Sequence, residues 1–186
     1  MEQKRVEFWN TPEGKVHYRV EGSEREIVFS QEDSDIIEFV IETVKKYFPL
    51  AYKRLEEKNV SSSKNYSWHR YRIADDFIRC NFGQRDQLHY DLDHELFSFE
   101  EVVCPLRGVC KDEGVICKPQ IRTILGNEEY KVAVAYTKGF SREEIAELTG
   151  KSPKTVANQL NDVMHKFGLK KLPAIRKIMN CMNIRL

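Results

Sequence analysis

Two helix starts lie eleven residues apart near the end of this chain, at Ser141 and Ser152. Ser141 is followed three residues on by Glu144, the capping-box spacing, and Gly150 supplies a stop. Ser152 is again a favoured N-cap, and Pro153 suits the first helical position. Two short helices joined by a three-residue, Gly-containing turn make a helix-turn-helix. The second of them runs over S-P-K-T-V-A-N-Q-L-N-D-V. Val156, Leu160 and Val163, with Phe167 further on, share one face at i, i+4, i+7 spacing. Lys154, Ala157, Asn158, Asn161 and His165 line the other. A merely solvated helix carries Glu and Lys pairs at i, i+4; this face carries amides and a small residue.

Such a unit places its second helix in the major groove of duplex DNA. Asn bridges adenine N6 and N7, and Ala meets a thymine methyl, so Asn158, Asn161 and Ala157 are the expected base readers. Lys151, Ser152, Lys154, Thr155 and Gln159 flank them as phosphate contacts, and Lys166, Lys170, Lys171 and Arg176 add positive charge. Helical patterns on either side, over 127–139 and from Pro173, complete a four-helix domain spanning about 120–186. That segment holds 12 Lys and Arg against 6 Asp and Glu, a net +6, whereas residues 1–119 carry −5. The near-neutral total thus conceals a basic end on an acidic body, which points to a polyanionic partner for the end alone.

The stretch from Leu125 to Ile178 resembles the LuxR-type helix-turn-helix of bacterial transcription regulators. The resemblance rests on G-F-S-R-E-E-I-A-E-L-T-G-K-S-P-K-T-V and V-M-H-K-F-G-L, matching the family's Ser-capped E-I-A helix, S-x-x-T-V and K-L-G or K-F-G ending. It implies a transcription regulator in which Ala157, Asn158 and Asn161 face bases. It also implies a last helix that dimerises, here through Ile175, Ile178, Met179 and Met182, with double-stranded DNA as partner and RNA polymerase as a further one. Ala157 and Gln159 stand where the family usually has Lys or Arg and His, and Asp162 flanks the same face, so modest intrinsic affinity is expected. Region 4 of a sigma factor uses a similar helix pair, but nothing upstream reads as a helical, aromatic-rich promoter-melting region. The competing class is a protein-interaction module that has lost DNA binding.

Residues 1–119 read as an α+β domain for sensing or oligomerisation, making the whole chain α+β and mainly α. RVEFWN, KVHYRV and REIVF form a three-stranded meander around T-P-E-G, with Val6, Phe8, Val16, Tyr18, Val20, Ile27 and Phe29 as its apolar set. Ser30 is expected to cap a helix with Ile36, Ile37, Val40, Ile41, Val44 and Phe48 inward. Pro49 should end or kink it. A further helix over 68–80 turns Trp68, Tyr71, Ala74, Phe77 and Ile78 inward and leaves His69, Arg72 and Arg79 in solvent. Residues 81–119 are expected to be irregular.

That irregular stretch is rich in cysteine. Cys80, Cys104, Cys110 and Cys117 fall in C-N-F-G and C-P-L-R-G-V-C-K-D-E-G-V-I-C, a pattern that also resembles one preceding LuxR-type helices in small bacterial regulators. Thiolates suit Zn²⁺ or an iron–sulfur cluster, although no C-x2-C knuckle is present. The alternative is four small buried side chains; Cys181 is expected only to pack.

Catalysis is not expected. The H-x-E and P-C-x-x-C pair of zinc deaminases is missing, as are the phosphate-binding Gly loop and the nucleophile elbow. His89, Asp91, Asp93, His94 and Glu95 read as an acidic surface loop. No receiver-domain pattern appears. Apolar residues make up 41% and charged residues 32% of the chain, as in a globular protein. No run approaches the roughly 20 apolar residues of a membrane span, and the start lacks a secretory signal. A cytoplasmic protein with reduced cysteines is expected.

Overall fold

The computed structural model describes residues 5–83, 85, 90–93, 96–119 and 124–181, and the chain is α+β. It divides into two compact units, Met1–Pro119 and Gln120–Leu186.

In the N-terminal unit, β1 (Val6–Asn10) and β2 (Val16–Val20) pair antiparallel in the register Val6↔Val20 to Asn10↔Val16. The Thr11–Lys15 turn between them places Gly14 at φ 75°, a conformation that only glycine adopts without strain. β3 (Ile27–Val28) adds to β2, completing the meander. Val6, Phe8, Val16, Tyr18 and Phe29 are buried, whereas Val20 and Ile27 are only half-buried. The sheet grows on the other side of β1 as well. Within the stretch expected to be irregular, β4 (Leu92–Asp93) pairs with β1 and β5 (Leu96–Phe97) with β4, giving the order β3-β2-β1-β4-β5. Strands of two residues carry no readable alternation, so sequence periodicity could not find them.

Among the described residues three α-helices belong to this unit; the third packs against β1 and β2, and the first two pack on the third. α1 (Ser34–Tyr47) buries Ile36, Ile37, Val40, Ile41 and Val44. Its N-cap is Asp33, not Ser30. The Asp33 carboxylate makes no cap bond because it accepts from the Ser30 N–H at 2.7 Å and the Tyr18 hydroxyl at 2.7 Å, fastening the helix start to the sheet. The chain breaks at Phe48 and Pro49 occupies the first turn of α2 (Pro49–Lys58). α3 (Tyr66–Asn81) is capped by Asn65, whose side chain accepts from the Trp68 N–H. Its inward stripe is Ile73, Ala74, Phe77 and Ile78. Trp68 is instead 40% exposed, lying against Tyr71 with ring centroids 5.1 Å apart. His69 and Arg72 are not free in solvent either: both reach Asn59, and Arg79 pairs with Asp75 at 2.7 Å. The core between sheet and helices is aromatic, with Phe8, Phe48, Phe77, Phe82 and Phe97 fully buried and Phe99 stacked on Phe82 at 5.9 Å. Asp91 is buried and accepts from the Phe8 N–H at 2.6 Å, while Asp93 pairs with Arg5. These two acids therefore serve the sheet rather than a surface loop; His89, His94 and Glu95 lie outside the described residues.

The described residues of the C-terminal unit form four helices: α4 (Asn127–Thr137), α5 (Arg142–Thr149), α6 (Pro153–Lys166) and α7 (Ala174–Cys181). α6 packs on both α4 and α5, and α7 packs on α4. Val132 and Ala133 form the buried stripe of α4, with Tyr130 and Val134 at its edges. Among the described residues no helix is long and apolar enough to cross a membrane.

Candidate nucleic-acid interface

The interface is built from the turn between α5 and α6. Ser141 and Glu144 form a reciprocal capping box: the Glu144 N–H donates to the Ser141 hydroxyl at 3.2 Å, and the Glu144 carboxylate accepts from the Ser141 N–H at 2.7 Å. Those bonds hold the Glu144 carboxyl below its ordinary range, the backbone N–H contributing most. Ile145 and Ala146 anchor the helix in the core. Gly150 then adopts φ 66°, ψ 30°, and the Lys151 N–H closes back on the Ala146 carbonyl at 2.9 Å. A residue with a β-carbon costs about 1–2 kcal/mol in that conformation, so the sharp reversal into α6 depends on glycine. The Ser152 hydroxyl accepts from the Thr155 N–H at 3.1 Å, capping α6.

Val156, Leu160, Val163 and Phe167 are fully buried, which fixes the rotation of α6 about its axis. Lys154, Thr155, Asn158, Asn161, Asp162 and His165 are consequently exposed, with Ala157 half-buried at the edge. The side chains of Lys154, Asn158, Asn161 and His165 form one outward stripe directly opposite the core. At the start of α6, where the helix dipole is positive, Ser152 takes the Thr155 and Val156 N–H groups and Pro153 has none, which leaves the N–H of Lys154.

Three of the expected DNA-binding residues, Lys151, Gln159 and Lys166, are engaged within the unit. Lys151 is turned back toward α4: its ammonium lies 2.6 Å from Glu128 and 3.1 Å from Gln159, and its side chain is only 16% exposed. Gln159 is thereby engaged as well. Lys166 pairs with Glu129 at 2.6 Å. The first turn of α4 carries both glutamates because acids are favoured at a helix N-terminus, and that turn lies beside α6. The Lys131 and Lys151 ammonium groups pull the Glu128 carboxyl down to about 2. For Glu129, burial pushes the other way and is outweighed by Lys166 and the Gly126 N–H, leaving it lowered. Arg176, though exposed, lies along α4, donating to the Tyr136 carbonyl at 3.2 Å with its guanidinium over the Tyr136 ring. Lys154, Lys170 and Lys171 are exposed and have no ion-pair partner among the described residues.

The dimer surface expected on α7 is corrected by burial. Ile175, Ile178 and Met179 are 0%, 3% and 0% exposed within the unit itself. They fill its core as α7 packs on α4, because a four-helix unit this small needs the apolar stripe of its last helix for itself. Met182 lies outside the described residues, as does the side chain of Cys181.

In the N-terminal unit, Cys80 near the end of α3 and Cys104, Cys110 and Cys117 from the following irregular segment line one pocket of about 320 Å³. All four are free and half-buried. Burial pushes the Cys80 thiol up to about 12. No group of three His, Cys, Asp or Glu side chains among the described residues is arranged to hold a metal ion as it stands. Sequence reasoning missed Asn81, which is fully buried and ties this segment down: its amide donates to the Ile116 carbonyl at 3.0 Å and accepts from the Lys118 N–H at 2.7 Å. An asparagine one residue past a cysteine carries no signal that would announce such a clamp.

No protein-family model, curated protein or solved structure matches the chain.

Proposed function

We propose that the chain is a sequence-specific binder of double-stranded DNA, a transcription regulator that lays α6 in the major groove. The observation carrying this reading is the α6 stripe. Two exposed asparagines and an exposed lysine project away from a rigid apolar anchor, on the second helix of a capped helix-turn-helix. Asn158 and Asn161 supply bidentate amides for adenine edges, and Ala157 a methyl contact for thymine. The ammonium and backbone N–H of Lys154, at the start of α6, would hold a flanking phosphate. The motifs that resemble LuxR-type regulators coincide with these same two helices.

The ion pairs at Lys151 and Lys166 temper this interface without removing it. Lys166, 39% exposed, can exchange Glu129 for a phosphate more readily than Lys151, which is 16% exposed and must first turn out from beside α4. Selection of bound sequences from random duplex DNA, followed by mobility shifts at low and moderate salt, tests the reading. A defined motif, bound in a salt-sensitive way and abolished by Lys154→Glu, is the expected result. Absence of any shift at low salt overturns it.

A second reading, a protein-interaction module, is favoured by one observation: Phe140 and Leu148, at the two ends of α5, are 38% and 64% exposed. Under that reading no duplex shifts at low salt, and a protein partner bound by the wild type is lost in Phe140→Ser and Leu148→Ser.

A further inference from the structure

We propose that Cys80, Cys104, Cys110 and Cys117 form a tetrathiolate Zn²⁺ site that fastens the segment 98–119 to the end of α3. The inference is independent of DNA binding, and its failure would leave that reading untouched.

The first argument is convergence. Cys80 belongs to a helix, the other three follow 24, 30 and 37 residues later, and all four nevertheless line the same pocket. The second is that part of the site is pinned. Asn81 bonds to residues 116 and 118, on either side of Cys117, and so holds Cys117 beside its own neighbour Cys80. On the opposite side, the Arg54–Asp112 pair at 2.7 Å ties the Cys110 turn to α2. The third is that donors already address sulfur: the Asp112 N–H points at Cys110 Sγ at 3.4 Å and the Arg107 guanidinium at Cys117 Sγ at 3.7 Å. Four thiolates around Zn²⁺ leave a net double negative charge, and N–H donors and cations in the surrounding shell offset it. Lys58 and Arg79 also line the pocket, Lys58 paired with Asp76 and Arg79 with Asp75, so Arg107 is the cation aimed at sulfur.

The fourth argument is need. Residues 98–119 contain no helix or strand; Phe99 stacks on Phe82 and Ile116 is buried near its two ends, but Val103, Leu106 and Val109 between them are 91%, 56% and 77% exposed, so little apolar burial holds the middle of the stretch. An irregular segment of that length inside a compact unit requires another source of order, and a closed structural zinc site is such a source. The thiols share a wall without meeting at one point. Binding would draw the turns carrying Cys104 and Cys110 toward the pinned Cys80 and Cys117, with the Arg54–Asp112 pair anchoring the base of the Cys110 turn, and each ligating thiol releases its proton to solvent. Zinc fits the role better than an iron–sulfur cluster because the task is cross-linking, which asks nothing of a redox couple.

The full chain, purified without added metal and without oxygen, is analysed for metal, and its thiols are titrated before and after a zinc chelator. Expected are close to one zinc per chain, four thiols that react only after chelation, and a tetrahedral thiolate spectrum on exchange into Co²⁺. Cys110→Ser should lose most of the metal and Cys181→Ser should keep it. Should Cys110→Ser fail to fold, protease mapping of the wild type decides: chelation opens cleavage within 98–119 and added Zn²⁺ closes it. A brown, iron-containing protein overturns the zinc assignment. Metal-free protein with all thiols freely reactive overturns the site.

Discussion

The two units solve the same problem, filling a small core, in opposite ways. In the N-terminal unit the rings that meet in the interior come from four stretches far apart in sequence: β1, the α1–α2 break, α3 with the residue after it, and β5, giving Phe8, Phe48, Phe77, Phe82 and Phe97. In the C-terminal unit the interior is mostly aliphatic, each helix presenting a stripe at helical spacing and each end of α5 closed by its own cap. Long-range assembly defines the first; local signals define the second. The surface follows suit. The C-terminal unit can spare a whole helix face for polar side chains because Val156, Leu160 and Val163 fix α6 from one side alone.

The comparison breaks most visibly at Phe77. Phe77→Ala should destabilise the N-terminal unit by about 3–5 kcal/mol, since its ring touches four others, Phe48, Phe82, Phe97 and Phe99. Both tryptophans of the chain, Trp9 and Trp68, lie in this unit, so denaturant unfolding followed by Trp fluorescence reads the loss directly. A change under about 1 kcal/mol would mean the aromatic cluster is not what holds the unit.

A smaller effect sharpens the other half. Ser141→Ala removes a local signal only and should cost about 1 kcal/mol. It should appear in far-UV circular dichroism melts while the Trp-reported transition stays in place.

Smaller still is the contribution of the Glu128 ion pairs, which pH resolves. Glu128 is depressed to about 2 in the folded chain, against about 4.3 in an unfolded one. Its stabilising contribution is therefore complete above the unfolded value and is lost as pH falls through the folded one. The melting temperatures of wild type and Glu128→Gln should differ at about pH 6 and converge toward about pH 2. The same substitution frees Lys151, so the log-log salt slope of DNA binding should steepen by up to about 0.9, the value for one added phosphate contact.

Legibility in the sequence follows the same division. The α5–α6 turn could be read because Ser141, Glu144, Gly150, Ser152 and Pro153 each act on bonds within four residues of themselves. α1 and α3 were readable from their stripes, but the start of α1 was not: Asp33 won over Ser30 through a bond to Tyr18, fifteen residues away. β4 and β5 were too short to show alternation, and Phe97 and Phe99 gave no hint of joining Phe77. On the candidate interface, the outward stripe followed from periodicity, whereas the capture of Lys151 and Lys166 by α4 depended on tertiary proximity. Ile175, Ile178 and Met179 show the limit of an apolar stripe as evidence. It marks what is buried, and only packing says whether the cover is the same chain or a second copy.

The most direct test of the central claim is the affinity of Asn158→Ala and Asn161→Ala for the duplex selected by the wild type, measured beside an unrelated duplex at the same salt. Each substitution should weaken the selected site by about 1–3 kcal/mol, the range for a bidentate base contact, and leave the unrelated duplex almost unchanged. Equal losses on both duplexes, or no loss on either, would contradict a face shaped to read bases.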